Sequence, residues 1–202
     1  MLAHEYRRAS LALQEFHHFA SLLLAGDSSL RVRLAAYDAY GRFVHHLFEF
    51  YKGCFDTNGP RHSAIQGKGL DRHVQEEVVK LMGHRADRIA RGDSPAWDND
   101  AAYYREEVPP EFARDFRLIR NQLSHTLRDR AEPSRGVSLP GFYARYHRFA
   151  MLLYEEPYWL WHVTEESSVD WKEIGRFEEA LKLHYEAPPN KPMQADGPSG
   201  RR

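Results

Sequence analysis

The apolar residues of the first 54 positions recur at three- and four-residue steps in two long runs, and a chain patterned that way buries them only as amphipathic helices. The first run, from about Ala3 to Ala25, sets Tyr6, Ala9, Leu13, Phe16, Ala20 and Leu23 along one stripe, and Gly26-Asp27-Ser28-Ser29 then supplies stop and start signals. The second, from about Leu30 to Cys54, carries Leu34, Tyr37, Val44, Leu47, Tyr51 and Cys54 before the turn-rich Asp56-Thr57-Asn58-Gly59-Pro60. Composition points the same way. Ala and Leu total 41 residues against 16 for Val, Ile and Thr, which starves a sheet of β-branched residues. The expected fold class is all-α.

Further along, Leu70, Val74, Val78, Leu81 or Met82, and Ile89 mark a third helix over about Leu70 to Arg91, closed by Gly92-Asp93-Ser94-Pro95. Residues 93–109 hold Trp97, Tyr103 and Tyr104, too aromatic for a solvated linker, and are expected to pack over the other helices. A fourth helix is expected from Pro110 through Phe112, Phe116, Ile119 and Leu123 to about Arg130. Pro140 opens a fifth with Phe142, Tyr146, Phe149 and Leu153, which Pro157 ends. A sixth is expected from Asp170, as N-cap, to about Tyr185, burying Ile174, Phe177, Leu181 and His184. The pattern predicts one domain over residues 1–186, a bundle of five or six helices. Residues 187–202, with four prolines and two glycines, read as a disordered tail.

Several function classes are disfavoured at once. No apolar run approaches the length of a membrane span, and charges interrupt the first ten residues where an export signal needs an apolar stretch, so a cytoplasmic protein is expected, with no membrane partner. Cys54 is the only cysteine, which removes intramolecular disulfides and multi-thiolate zinc sites; it suits a small apolar core position. Twelve histidines invite a metal search, whose best fragment is Glu15-Phe16-His17-His18. A di-iron bundle needs a second Glu-x-x-His, and none occurs, so neither metal nor cofactor is expected. His45 and His46 are adjacent and diverge on a helix, and Gly67-Lys68-Gly69 is too short for a phosphate loop and serves as a helix lead-in.

A net charge of −1 gives no global attraction to nucleic acid, and residues 155–186, with nine acids against three bases, are strongly acidic. Residues 112–130 run the other way. They carry five arginines (114, 117, 120, 128 and 130) against Asp115 and Asp129, with His125 among them. Guanidinium groups fork onto phosphate oxygens at any relevant pH, and Arg117 and Arg128 are candidate RNA-phosphate contacts. A neutral histidine takes a proton from a ribose 2′-hydroxyl, and its imidazolium returns one to a leaving 5′-oxygen. On a helix Asn121 and His125 share a face, whereas Arg120 and His125 diverge by about 140°. A two-fold dimer would gather both copies into one cleft. On charge pattern alone, the same arginines also suit a solvated helix face.

The segment Arg120-Asn121-Gln122-Leu123-Ser124-His125 resembles the R-x(4-6)-H signature of the HEPN superfamily, in which a polar residue often follows the arginine. The resemblance implies an all-helical, dimeric, metal-independent endoribonuclease of the kind found in toxin–antitoxin, phage-defence and RNA-processing systems, and hence RNA and an antitoxin or regulatory protein as partners. It implies that Arg120 and His125 are catalytic and that Asn121 orients them. Many members add a charged residue from an earlier helix, for which Asp38, Glu49 and Lys52 are the candidates here. Other members only bind nucleotides or proteins, and a non-catalytic module on the same basic helix is the alternative reading.

Overall fold

The computed structural model describes residues 2–58, 67–96, 98–124, 137–157 and 171–186. Among them it contains seven helices and no strand: α1 (Leu2–Leu24), α2 (Leu30–Asn58), α3 (Lys68–Ala90), α4 (Ala101–Tyr104), α5 (Phe112–Ser124), α6 (Leu139–Glu155) and α7 (Lys172–Glu186). The all-α expectation holds for the described residues, and none of these helices is long and apolar enough to cross a membrane. The chain divides into two compact units, Met1–Thr164 and Glu165–Arg202, where the sequence predicts one domain over 1–186. The 187–202 tail, Trp97 and the proposed cap Asp170 lie outside the described residues.

The helix boundaries follow local chemistry. Gly26 takes φ 98°, and the Gly26 and Asp27 amides donate back to Leu23 and Leu22, which closes α1. Ser29 then accepts from the Val32 amide at 3.4 Å and starts α2. Gly92, at φ 75°, closes α3 in the same manner. Ser138 caps α6 by accepting from the Gly141 amide, with Pro140 in the first turn. α5 starts at Phe112, two residues later than the sequence suggests, because its cap is tertiary. Gln75 of α3 accepts from the Ala113 amide at 3.3 Å and donates to the Pro109 carbonyl at 3.1 Å.

The core of the first unit is aromatic. Tyr6 of α1, Phe43 and Phe50 of α2, Phe112 and Phe116 of α5, and Phe142, Tyr146 and Phe149 of α6 are fully buried. Aromatic pairs at favourable offsets add to what their area contributes. Buried hydroxyls are used: Tyr6 and Tyr51 donate to the Tyr154 and Leu153 carbonyls near the end of α6, and Tyr146 donates to the buried Asp115 carboxylate at 2.9 Å.

Two expected stripes are corrected. On α2, Val44, Leu47 and Tyr51 are buried as expected, whereas Leu34 and Tyr37 are exposed and the buried face continues toward the start of the helix through Phe43, Tyr40, Ala36 and Val32. Val32, Ala36, Tyr40, Phe43 and Leu47 follow one another at three- and four-residue steps, and Leu34 and Tyr37 lie to the side of that stripe. On α7, Ile174, Phe177 and Leu181 are exposed, which overturns their expected burial, and His184 has no described side chain.

Candidate functional site

α2 and α5 lie antiparallel along a seam that repeats every helical turn, since residues four apart share a helix face. Space for the approach comes from Gly41, where an added Cβ would stand only 3.0 Å from Leu123 Cδ2. One turn on, His45 Nδ1 meets Ser124 Oγ at 3.3 Å. One turn further, Glu49 pairs with Arg120 through its Nε and Nη2. Phe48 and Phe116 close this end edge to face with ring centroids 5.2 Å apart, and the Arg120 guanidinium lies 5.9 Å over the Phe48 ring.

Arg120 is therefore fixed on three sides. Besides Glu49 and Phe48, its Nη1 donates to Asn121 Oδ1 at 3.0 Å, so Asn121 touches the arginine that it was expected to orient. The Arg120 side chain keeps 28% of its surface exposed and that of Glu49 keeps 20%, so the pair is only partly shielded from solvent. Of the three earlier-helix candidates, Glu49 makes the contact; Asp38 is exposed eleven residues earlier on α2, about three turns toward its start.

Local charge differs from what α5 alone suggests. Arg114 pairs with Asp115, Arg117 makes a two-pronged bond to Asp71 of α3 at 2.7 and 2.9 Å, and Arg120 pairs with Glu49. Each described arginine of α5 thus has a carboxylate, two of them supplied by other helices. Arg117 in particular ties α5 to α3 through Nε and Nη2, and its Nη1 takes no part in that fork. His125 and Arg128 lie outside the described residues, as does Arg130.

His45 is the residue that sequence reasoning set aside. Burial, aided by His46 and Arg120 and opposed by Glu49 and Glu5, holds its imidazole below the ordinary 6.5. The signal was present in the His45/Glu49 spacing, which matches the Arg120/Ser124 spacing on the facing helix. Its neighbour His46 points elsewhere, to Glu5 of α1 at 2.8 Å.

Elsewhere, Glu15 of the Glu-x-x-His fragment pairs with Arg42 across α1 and α2. Cys54 packs partly buried against the core, and burial pushes its thiol up to about 11. An apolar groove of about 500 Å³ between α1, α2 and α6, lined by residues such as Phe16, Leu23, Tyr37 and Tyr143, includes neither Glu49 nor Arg120. No family model, curated protein or solved structure matches the chain.

Proposed function

We propose that the chain is a metal-independent endoribonuclease of HEPN-like build, a bundle of five or six helices acting in the cytoplasm as a homodimer, with an antitoxin or other regulatory protein as a further partner. The observation that carries the reading is the fixed Arg120: the first residue of the six-residue signature, partly exposed, oriented by Asn121 and by Glu49 from an earlier helix. Three of its five N–H groups face Glu49 and Asn121, which leaves one on each terminal nitrogen for phosphate oxygens. In this role Arg120 stabilises the charge of the pentacoordinate phosphorane, His125 transfers a proton at the 2′-hydroxyl or the leaving oxygen, and Arg128 and Arg117 contact flanking phosphates. The reaction needs nothing but the RNA's own 2′-oxygen as nucleophile.

The second reading is the non-catalytic binding module: every described arginine of α5 has a carboxylate partner, an arrangement that also serves to hold the helices together without any reaction. Product chemistry separates the two. Wild type incubated with single-stranded RNA in EDTA is expected to leave 2′,3′-cyclic phosphate ends or their 3′-phosphate hydrolysis products, and to spare DNA of the same sequence. His125→Ala is expected to lower the rate about 10²-fold or more. Cleavage that needs added divalent metal, or that persists undiminished in His125→Ala, sinks the ribonuclease assignment; retained oligonucleotide binding without cleavage selects the binding module.

A further inference from the structure

The Ser124 hydroxyl has a single proton, and it goes to the Arg120 carbonyl one turn back at 3.0 Å. Toward His45 the same oxygen has only lone pairs to offer. The 3.3 Å contact to His45 Nδ1 then matches the tautomer protonated on Nδ1, in which Nε2 carries the lone pair, and Nε2 has no hydrogen bond among the described residues. That nitrogen belongs to a half-buried ring one turn from Glu49, on the helix face that meets Arg120.

We infer that His45 is the general base of the site, a second histidine whose Nε2 takes the 2′-hydroxyl proton while Ser124 holds its ring. The inference rests on the ribonuclease reading above and divides its proton transfers between two residues. His45 Nε2 removes the 2′-hydroxyl proton, the 2′-oxygen bonds to phosphorus, and the bond from phosphorus to the 5′-oxygen breaks. The imidazolium of His125 protonates that oxygen. The products are a 2′,3′-cyclic phosphate and a 5′-hydroxyl, and solvent restores both histidines. Arg120 serves twice, since it stabilises the phosphorane and its charge opposes protonation of the waiting base.

The electrostatics agree with that division. Among the described residues, the charged and titratable groups facing His45 are His46 and Glu49 on its own helix, Glu5 on α1 and Arg120 on α5. Burial, His46 and Arg120 outweigh the two glutamates, so the ring is neutral at neutral pH and ready to accept a proton. A group with this property suits a base better than an acid, which leaves the acid role to His125.

The test compares pH–rate profiles of wild type, His45→Gln and His125→Ala on one RNA substrate, beside NMR titration of the wild-type imidazoles. His45→Gln keeps a hydrogen-bonding end for Ser124 and is expected to lower kcat about 10²-fold with KM nearly unchanged. It should also remove the acidic limb of the profile, which in wild type lies below pH 6.5 and coincides with the titration of His45 as its Nδ1–H tautomer. If His45→Gln keeps wild-type kcat and its acidic limb while His125→Ala does not cleave, the His45 role is overturned and the ribonuclease reading stands. If wild type makes no cut, the ribonuclease reading falls and takes the His45 role with it. Should His45→Gln fail to fold, the wild-type spectrum decides: a His45 ring titrating at or above 6.5, or protonated on Nε2, overturns the assignment.

Discussion

His147 shows how much a single side chain can make this fold depend on pH. Its Nδ1 lies 3.2 Å from the Tyr40 hydroxyl, and burial raises the Tyr40 phenol well above its ordinary range, so the phenol keeps its proton and donates it to a neutral ring. Tyr143 stacks on the ring at 4.6 Å and Phe16 meets it edge-on. Burial, with His17 adding repulsion, pushes the imidazole down to about 4. An unfolded histidine takes up its proton near 6.5, so the unfolded state binds more protons between these values and stability falls as pH drops through that window. Denaturant unfolding from pH 7 to pH 4 is expected to show a loss of about 2 kcal/mol from this residue, discounted for partial exposure of the ring. His147→Phe should remove that share of the slope; an unchanged slope would place the acid sensitivity elsewhere.

At the scale of elements, α3 is fastened to its surroundings by one buried cation. Arg85 donates to Asp98 at 2.8 Å and to Glu155 at 3.2 Å, and its Nε lies 3.4 Å from Glu156, so α3, the 93–100 segment and the end of α6 meet at one guanidinium. Arg85→Leu leaves Asp98, whose side chain is 2% exposed, without its counter-charge, and is expected to cost roughly 3–5 kcal/mol by denaturant unfolding. A loss under about 1 kcal/mol would mean that the carboxylates relax into solvent. The elements themselves were largely readable from the chain, because glycine stops, serine caps and 3.6-residue periodicity are local signals. Tertiary partners were not. Gln75 moves the start of α5 away from Pro110, and the stripe of α2 that meets its neighbours passes to one side of Leu34 and Tyr37. The site divides along the same line: Arg120 and Asn121 came from a contiguous string, whereas Glu49 could only be one of three candidates until α2 was laid against α5. His45, discounted as half of an unpromising His45-His46 pair, needed its Ser124 contact to be seen.

For the whole molecule, a net charge of −1 and an α5 whose described arginines are each matched by an acid mean that, on the ribonuclease reading, RNA is drawn by a confined site and not by a broad basic face. A second copy would double that confined charge in one cleft, so a two-chain particle is expected in light scattering at micromolar concentration without RNA or partner. Monomer alone under those conditions would count against the shared cleft. The central claim is that Arg120 acts on the phosphate. It is tested most directly by the single-turnover rate of RNA cleavage in EDTA for wild type and Arg120→Ala, with folding checked by thermal melting. The account predicts a loss of about 10²-fold or more in a variant that still melts cooperatively, on the order of 3 kcal/mol of transition-state stabilisation. A folded Arg120→Ala that cleaves at the wild-type rate would contradict it.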